Sequence, residues 1–418
     1  MKQLTAAQLH AAGMLFSGTL VTVVTKMQYS VRAEGTELCA DPDFPDQMTT
    51  NCPFNKPWFG VLLSKFSLTL CLAYVYIRKA MEHRSSLDTP LLHGVRTDEL
   101  HLAGEPDEKT SLVPSQPSSV EEEHPEIPLK TIVFIAFPSM LDLLQTVLGV
   151  AGLLFLPSSI YQITCGSVIV FSAFLQVKFL GMRLYAYHYV SIVLVVISVV
   201  LVGLAGTSTS STNTESTANA LFGFVLIISG QLIMAIQFIV EEYLMVSTNV
   251  SPMVLVGWEG LWGLLFYVFL APALTLSPAS DSAMSILWHE DFVDSFVKLQ
   301  NSPVQLLLAV LSVFAYGMLG VTATTVIKHL STVVRSFIES IRSLGVWVVD
   351  LLIVYAFNWR GANSPGEEWT SASWIELLGF ILMVYGTLAY KKVIRIPVEA
   401  LYVTEEREQG TLGKTPLV

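Results

Sequence analysis

The chain has 418 residues, of which 52 % are apolar and only 14 % charged, and its net charge is −11. Soluble domains reach a similar apolar content but carry about a quarter charged residues, and the mean hydropathy of +0.58 follows from that deficit of charge. The composition excludes a disordered chain, a nucleic-acid binder and an ordinary cytosolic enzyme: the solvent for most of the chain is lipid.

A hydrocarbon core of about 30 Å needs roughly 20 apolar residues per helix. Ten stretches meet that length: 5–27, 58–78, 131–154, 158–180, 185–205, 221–245, 253–276, 304–327, 332–357 and 373–392. They are too long and continuous to be strands. The first resembles a signal peptide at its start, but it lacks a small-x-small cleavage site and ends on Lys26, so it is expected to be a retained span. The ninth is unusual in holding four ionisable residues, Arg335, Glu339, Arg342 and Asp350.

Loop charge sets the orientation. With the N-terminus in the cytosol, cytosolic segments hold fifteen Lys and Arg residues against four on the other side. Both termini are then cytosolic, which requires an even number of spans. Cys39 and Cys52 share the first lumenal loop with twelve residues between them, and in an oxidising compartment they are disulfide candidates, with free thiols as the alternative. Cys71 and Cys165 sit inside apolar runs as small hydrophobes. Residues 80–129 are acidic and contain Pro and Ser, so a disordered cytosolic loop is expected; within it Asp88-Thr89-Pro90-Leu91-Leu92 matches an acidic-dileucine sorting pattern. The Ser/Thr run in 207–220 predicts a flexible linker.

Further along, Ile286, Leu287, Phe292, Val293, Phe296, Val297 and Leu299 alternate at helical spacing with Asp281, Glu290, Asp291 and Asp294. That pattern predicts an amphipathic helix within 280–300 on the lumenal surface, either packed over neighbouring spans or acting as a lid. Lys26 and Lys65, near lumenal span ends, are expected to snorkel to the interface. Glu241 and Glu242 fall at the cytosolic end of the sixth span, with at least one expected in water. Gly413-Lys414-Thr415 is no phosphate loop, because Glu408 stands where glycine is required and no strand precedes it.

Without the cytosolic loop the chain divides into five spans, the Ser/Thr linker and five more: 1–206, 207–220 and 221–393, followed by a cytosolic tail at 394–418. Ser17-Gly18-Thr19-Leu20 recurs as Ser229-Gly230-Gln231-Leu232. An odd number of spans per half makes the halves inverted, an arrangement that characterises secondary transporters with substrate at the midplane. The expected fold class is therefore an all-α membrane protein, ten transmembrane helices as two inverted five-helix repeats around a central cavity.

Phe137-Pro138-Ser139-Met140-Leu141-Asp142 and Leu156-Pro157-Ser158-Ser159-Ile160-Tyr161-Gln162 resemble the third and fourth spans of the drug/metabolite transporter (EamA-like) superfamily. Gln231-Leu232 through Glu241-Glu242, Gly257-Trp258-Glu259-Gly260 and Leu330-Ser331-Thr332 through Ser340-Ile341-Arg342 resemble the subfamily F, member 6 branch of solute carrier family 35. The resemblance implies ten helices around a central cavity and transport in an endomembrane, with the lysosome the usual expectation. Relatives often carry a basic residue where this chain has Cys165, which weakens the case for an anionic, phosphate-bearing substrate.

Charges at membrane depth face a cavity or a partner. Arg335, Glu339 and Arg342, at i, i+4 and i+7, share one helix face, either binding substrate and gating or forming a self-satisfied ion-pair network. Asp142, with Gln145 beside it, either carries a proton or pairs with Arg342, pairing being favoured. Tyr161 and Gln162 suit substrate contact or interhelical hydrogen bonding, and Glu259, between glycines, is expected in the cavity. The substrate-cavity candidates are thus Asp142, Gln145, Tyr161, Gln162, Glu259, Arg335, Glu339 and Arg342. No Ser/His/Asp set or metal-ligand spacing appears at membrane depth, and no cofactor or enzyme activity is expected. The expected function is a secondary-active transporter working by alternating access, by exchange or proton coupling; the alternative is a transport-inactive membrane adaptor acting through its cytosolic loop and tail. Expected partners are a small organic solute, protons, membrane lipid and a second copy of the chain, and no nucleic acid.

Overall fold

The computed structural model describes residues 2–40, 47–54, 56–87, 128–153, 155, 161, 164–181, 184–209, 214–277, 289–356, 358, 369–371, 373–390 and 392–402. Gln162, the dileucine pattern at 88–92, most of the cytosolic loop, residues 281–288 and the Gly413-Lys414-Thr415 tail lie outside them. In chain order the elements are α1 (Lys2–Ser30), β1 (Arg32–Ala40), β2 (Met48–Pro53), α2 (Pro57–Leu87), α3 (Leu129–Leu153), α4 (Val168–Leu180), α5 (Ala186–Thr209), α6 (Thr214–Thr248), α7 (Pro252–Leu276), α8 (Phe292–Asn301), α9 (Pro303–His329), α10 (Thr332–Tyr355) and α11 (Ser373–Tyr390).

Among the described residues each of the ten apolar stretches overlaps one helix, the fourth only over Val168–Leu180, and α8 is additional. Seven, α1, α2, α3, α6, α7, α9 and α11, are long and apolar enough to cross a membrane. Of the other three, α4 and α5 are apolar but shorter in their apolar run, and α10 carries the four ionisable residues noted above. The helices flanking the Ser/Thr run reach Thr209 and restart at Thr214.

Local chemistry sets the helix ends. Ser302 caps α9 by accepting from the Gln305 N–H, with Pro303 at the first helical position, where its missing donor costs nothing. Ser331 caps α10 through the Val334 N–H, and α4 stops at Gly181, whose φ of 68° is a left-handed closure that glycine adopts without strain.

The helices pack in matched pairs. α1 lies on α9 and α10, as α6 lies on α3 and α4; α2 packs on α9, as α7 packs on α3; α2 meets α7, α5 meets α11 and α4 meets α10. One core joins Ile135, Val168, Phe238, Ile239, Leu255 and Ile327 across α3, α4, α6, α7 and α9. A second joins Ile169, Ala173, Val195, Val333, Phe337 and Tyr390 across α4, α5, α10 and α11. The outer surface is apolar: Phe174, Val268, Phe269, Leu307 and Phe314 are all more than half exposed. In water such a belt would aggregate, whereas in hydrocarbon it is solvated. This is an integral, multi-pass membrane protein.

Outside the helices, β1 and β2 form an antiparallel hairpin closed by a Cys39–Cys52 disulfide, Cα atoms 5.8 Å apart. α8 packs on it with an unexpected face. Asp294, Ser295 and Lys298 are buried, while Val293 and Phe296 are exposed, so the polar side of the amphipathic helix turns inward. The hairpin supplies the reason: the Thr36 and Glu37 N–H groups donate to Asp294 Oδ1 at 2.6 and 3.1 Å, and Asn301 donates to the Glu34 carbonyl.

Candidate functional site

The spans bury polar side chains in two clusters. The first is organised by α10, whose serine-capped first turn places Arg335 against α6. The Arg335 guanidinium lies 2.7 Å from Glu241 Oε2 and stacks 3.8 Å from the centre of the Phe238 ring, a favourable cation–π position. Gln237 donates to the other Glu241 oxygen at 2.8 Å. Glu242 accepts from Gln176 of α4 and from the Thr332 N–H, both at 3.0 Å, and Ser172 of α4 bonds Ser336 of α10 at 2.7 Å. Both glutamates are therefore engaged, and the expectation that one is merely solvated is corrected.

Beside this lies the pair formed by Lys65 of α2 and Asp142 of α3, with Gln145 donating to Asp142 Oδ1 at 3.2 Å. Lys65 reaches Asp142 because α7 presents Gly263 at its stem: a β-carbon there would lie 2.6 Å from Lys65 Cδ. Two expectations are corrected here. Lys65 does not snorkel, and Asp142 pairs with Lys65 rather than with Arg342. The physical reason is adjacency: α2 and α7 are in close contact through glycine, while Arg342 finds Glu339 one turn away on its own helix. Glu259 is buried next to this pair, and Lys65, Glu241 and Arg335 are its charged neighbours. Its carbonyl accepts from Ser139 at 2.8 Å, but its Oε1 has no hydrogen-bond partner among the described residues.

The second cluster surrounds Arg342, 2.8 Å from Glu339 Oε1. Arg342 lies across Gly18 of α1, where any side chain would collide with it. Tyr161 and Cys165 are hydrogen-bonded to each other within electrostatic reach of both Arg342 and Glu339, and Gln231 of α6 approaches Cys165 Sγ at 3.5 Å. The side chains of Arg342 and Glu339 are 18 and 12 % exposed. Deeper along α10, Asp350 pairs with Lys26 of α1 at 2.5 Å, so Lys26 does not snorkel either.

Seven of the eight cavity candidates are thus described. Asp142, Gln145, Glu259 and Arg335 share one neighbourhood, and Tyr161, Glu339 and Arg342 the other. The residues not foreseen as partners are Lys65, Lys26 and Glu241. Gln237 and Glu241, one helical turn apart, were the available signal for a polar stripe on α6.

Outside the spans a third charged group ties α8 to the hairpin. Asp294 lies 2.7 Å from Lys298 and 3.1 Å from Lys56, and Lys56 also pairs with Glu37 at 2.5 Å. Burial works to raise the Asp294 carboxyl, but Lys298, the two N–H donors and Lys56 outweigh it and hold it well below the usual range. Glu290 differs: burial pushes it up to about 7, against the pull of Lys56, the Trp58 N–H and Ser295. Among the described residues no group of His, Cys, Asp and Glu could hold a metal ion.

A sequence model of the nucleotide-sugar transporter family matches residues 116–257. Solute carrier family 35 member F6 of Homo sapiens is 27 % identical over 99 % of this chain and 98 % of its own length. The Rattus norvegicus protein of that name is 26 % identical over the same shares, and an uncharacterised protein of Schizosaccharomyces pombe is 27 % identical over 65 % of this chain and 78 % of its own. The chain is similar to solute carrier family 35 member F6 over nearly its whole length.

Proposed function

We propose that the chain is a secondary-active carrier of a small organic solute, built as ten spans in two inverted five-helix repeats and working by alternating access in an endomembrane, with both termini cytosolic. The observation that carries this reading is the Glu339–Arg342 pair beside Tyr161, Cys165 and Gln231. These are polar groups from three spans, partly open, in the interior of the bundle. Charged groups at that depth mark a substrate path. The exchange of neighbours between α1 with α9 and α10, and α6 with α3 and α4, supports two repeats rocking about a shared cavity. The names of the relatives support transport over an adaptor role.

Cys165 is a natural reporter for this mechanism. In a Cys71→Ser background, a membrane-impermeant thiol reagent should label Cys165 from either face of oriented proteoliposomes. Locking one conformation by a cross-link should abolish labelling from one face only. Labelling from neither face, or from both faces in the locked protein, would overturn alternating access.

A further inference from the structure

Four cations lie in the interior of the described bundle, and each has its own carboxylate: Lys26 with Asp350, Lys65 with Asp142, Arg335 with Glu241 and Arg342 with Glu339. Of the other carboxylates in the described spans, Glu242 accepts from Gln176 and the Thr332 N–H and Glu376 is engaged, whereas none of the four cations is paired with Glu259. It is 7 % exposed, it forms no ion pair among the described residues, and its enclosed Oε1 accepts no hydrogen bond there. An ionised carboxylate so placed is strongly disfavoured by desolvation, and taking up a proton removes that cost. We propose that Glu259 is a proton-binding site and that the carrier's driving ion is a proton held there.

The surroundings show how such a proton would be released. From α2, Lys65 acts on Glu259; from α10, Arg335; and from α6, Glu241, itself braced by Gln237. α3 contributes Asp142, which holds Lys65, and Ser139, whose hydroxyl is taken by the Glu259 carbonyl. The ionisable side chains of α9, Tyr316, Lys328 and His329, are not among its charged neighbours. Both nearby cations are therefore committed to other carboxylates. If α2 shifts against α3, or α10 against α6, Lys65 or Arg335 becomes free to pair with Glu259, and the proton leaves from the carboxyl oxygen to the side then open. A proton on Glu259 and a cation paired with Glu259 are alternatives, and this is the thermodynamic form of coupling. The inference rests on the carrier reading and names the ion for it.

The test is infrared spectroscopy of the full-length protein in lipid vesicles, following the deuterium-sensitive C=O stretch of a protonated carboxyl. At neutral pH the wild type should show such a band, and Glu259→Gln, folded by circular dichroism, should lack it. Asp142→Asn frees Lys65 for Glu259 and should lose most of the band at neutral pH, which keeps the test usable should Glu259→Gln fail to fold. No band in the wild type, or one unchanged in both variants, overturns the proposal. Cys165 labelling on the same vesicles separates the two readings. Two-sided labelling without a band leaves a carrier that binds no proton here; a band without two-sided labelling removes the carrier itself.

Discussion

The Arg335 guanidinium of α10 is held at once by Glu241, 2.7 Å away, and by the Phe238 face, 3.8 Å away, both on α6. Glu241 is 1 % exposed, so removing the arginine strands a buried charge. Arg335→Ala should destabilise the protein by about 3–5 kcal/mol. Arg335→Lys should recover only part of this, because an ammonium cannot both stack and pair in that geometry. Arg335→Met with Glu241→Gln should come closer to wild type than either single change. Thermal unfolding in lipid nanodiscs is the measurement.

Gly263 serves Lys65. A larger residue there occupies the space of the lysine stem and should break the Lys65–Asp142 pair from the opposite side. Gly263→Leu and Lys65→Ala should each cost about 3–5 kcal/mol, and the double variant should cost far less than their sum, since both act on one contact. Additive melting shifts would contradict this.

Much of the scaffold was legible in the sequence. Among the described residues the apolar runs overlap helices, seven of them long and apolar enough to cross a membrane, because each needs only its own composition. The Cys39–Cys52 bridge follows from two cysteines sharing one polar loop. Partner choice was not legible. Whether Asp142 meets Arg342 or Lys65 depends on which helices touch, and that is decided by Gly263 on a third helix. The buried polar face of α8 was hidden for a similar reason: its partners are backbone N–H groups of a hairpin some 260 residues away, at Thr36 and Glu37, and backbone groups leave no trace in a hydropathy pattern.

The packing of α8 on the hairpin should depend on pH. Glu290 is raised in the folded protein to about 7 from an ordinary 4.5, so the folded form binds the proton more tightly. That stabilisation is complete below the ordinary value and is lost as pH rises through about 7. Asp294 has the opposite sign: its contribution is present above the ordinary 3.8 and fails only in stronger acid. Between about pH 5 and about pH 8, therefore, Glu290 alone should loosen this region as pH rises. Hydrogen exchange of residues 32–53 and 289–301, corrected for intrinsic chemistry, should show falling protection over that range in the wild type and a flat response in Glu290→Gln.

Gly18 should be indispensable to the Arg342 site. Gly18→Val drives a side chain into the arginine and should cost about 1–3 kcal/mol by overpacking. It should also move Arg342 away from Tyr161 and Cys165, so the labelling rate of Cys165 should change several-fold. An unchanged rate in a folded variant would place Arg342 outside the site.

Counterflow in proteoliposomes tests the central claim most directly. Pools of nucleotide sugars, amino acids, small peptides and organic cations would be offered with and without a pH gradient, to the wild type and to Arg342→Ala. The account predicts exchange of at least one pool by the wild type and its loss in the folded variant. Exchange that proceeds equally well without Arg342 would contradict the carrier site described for this protein.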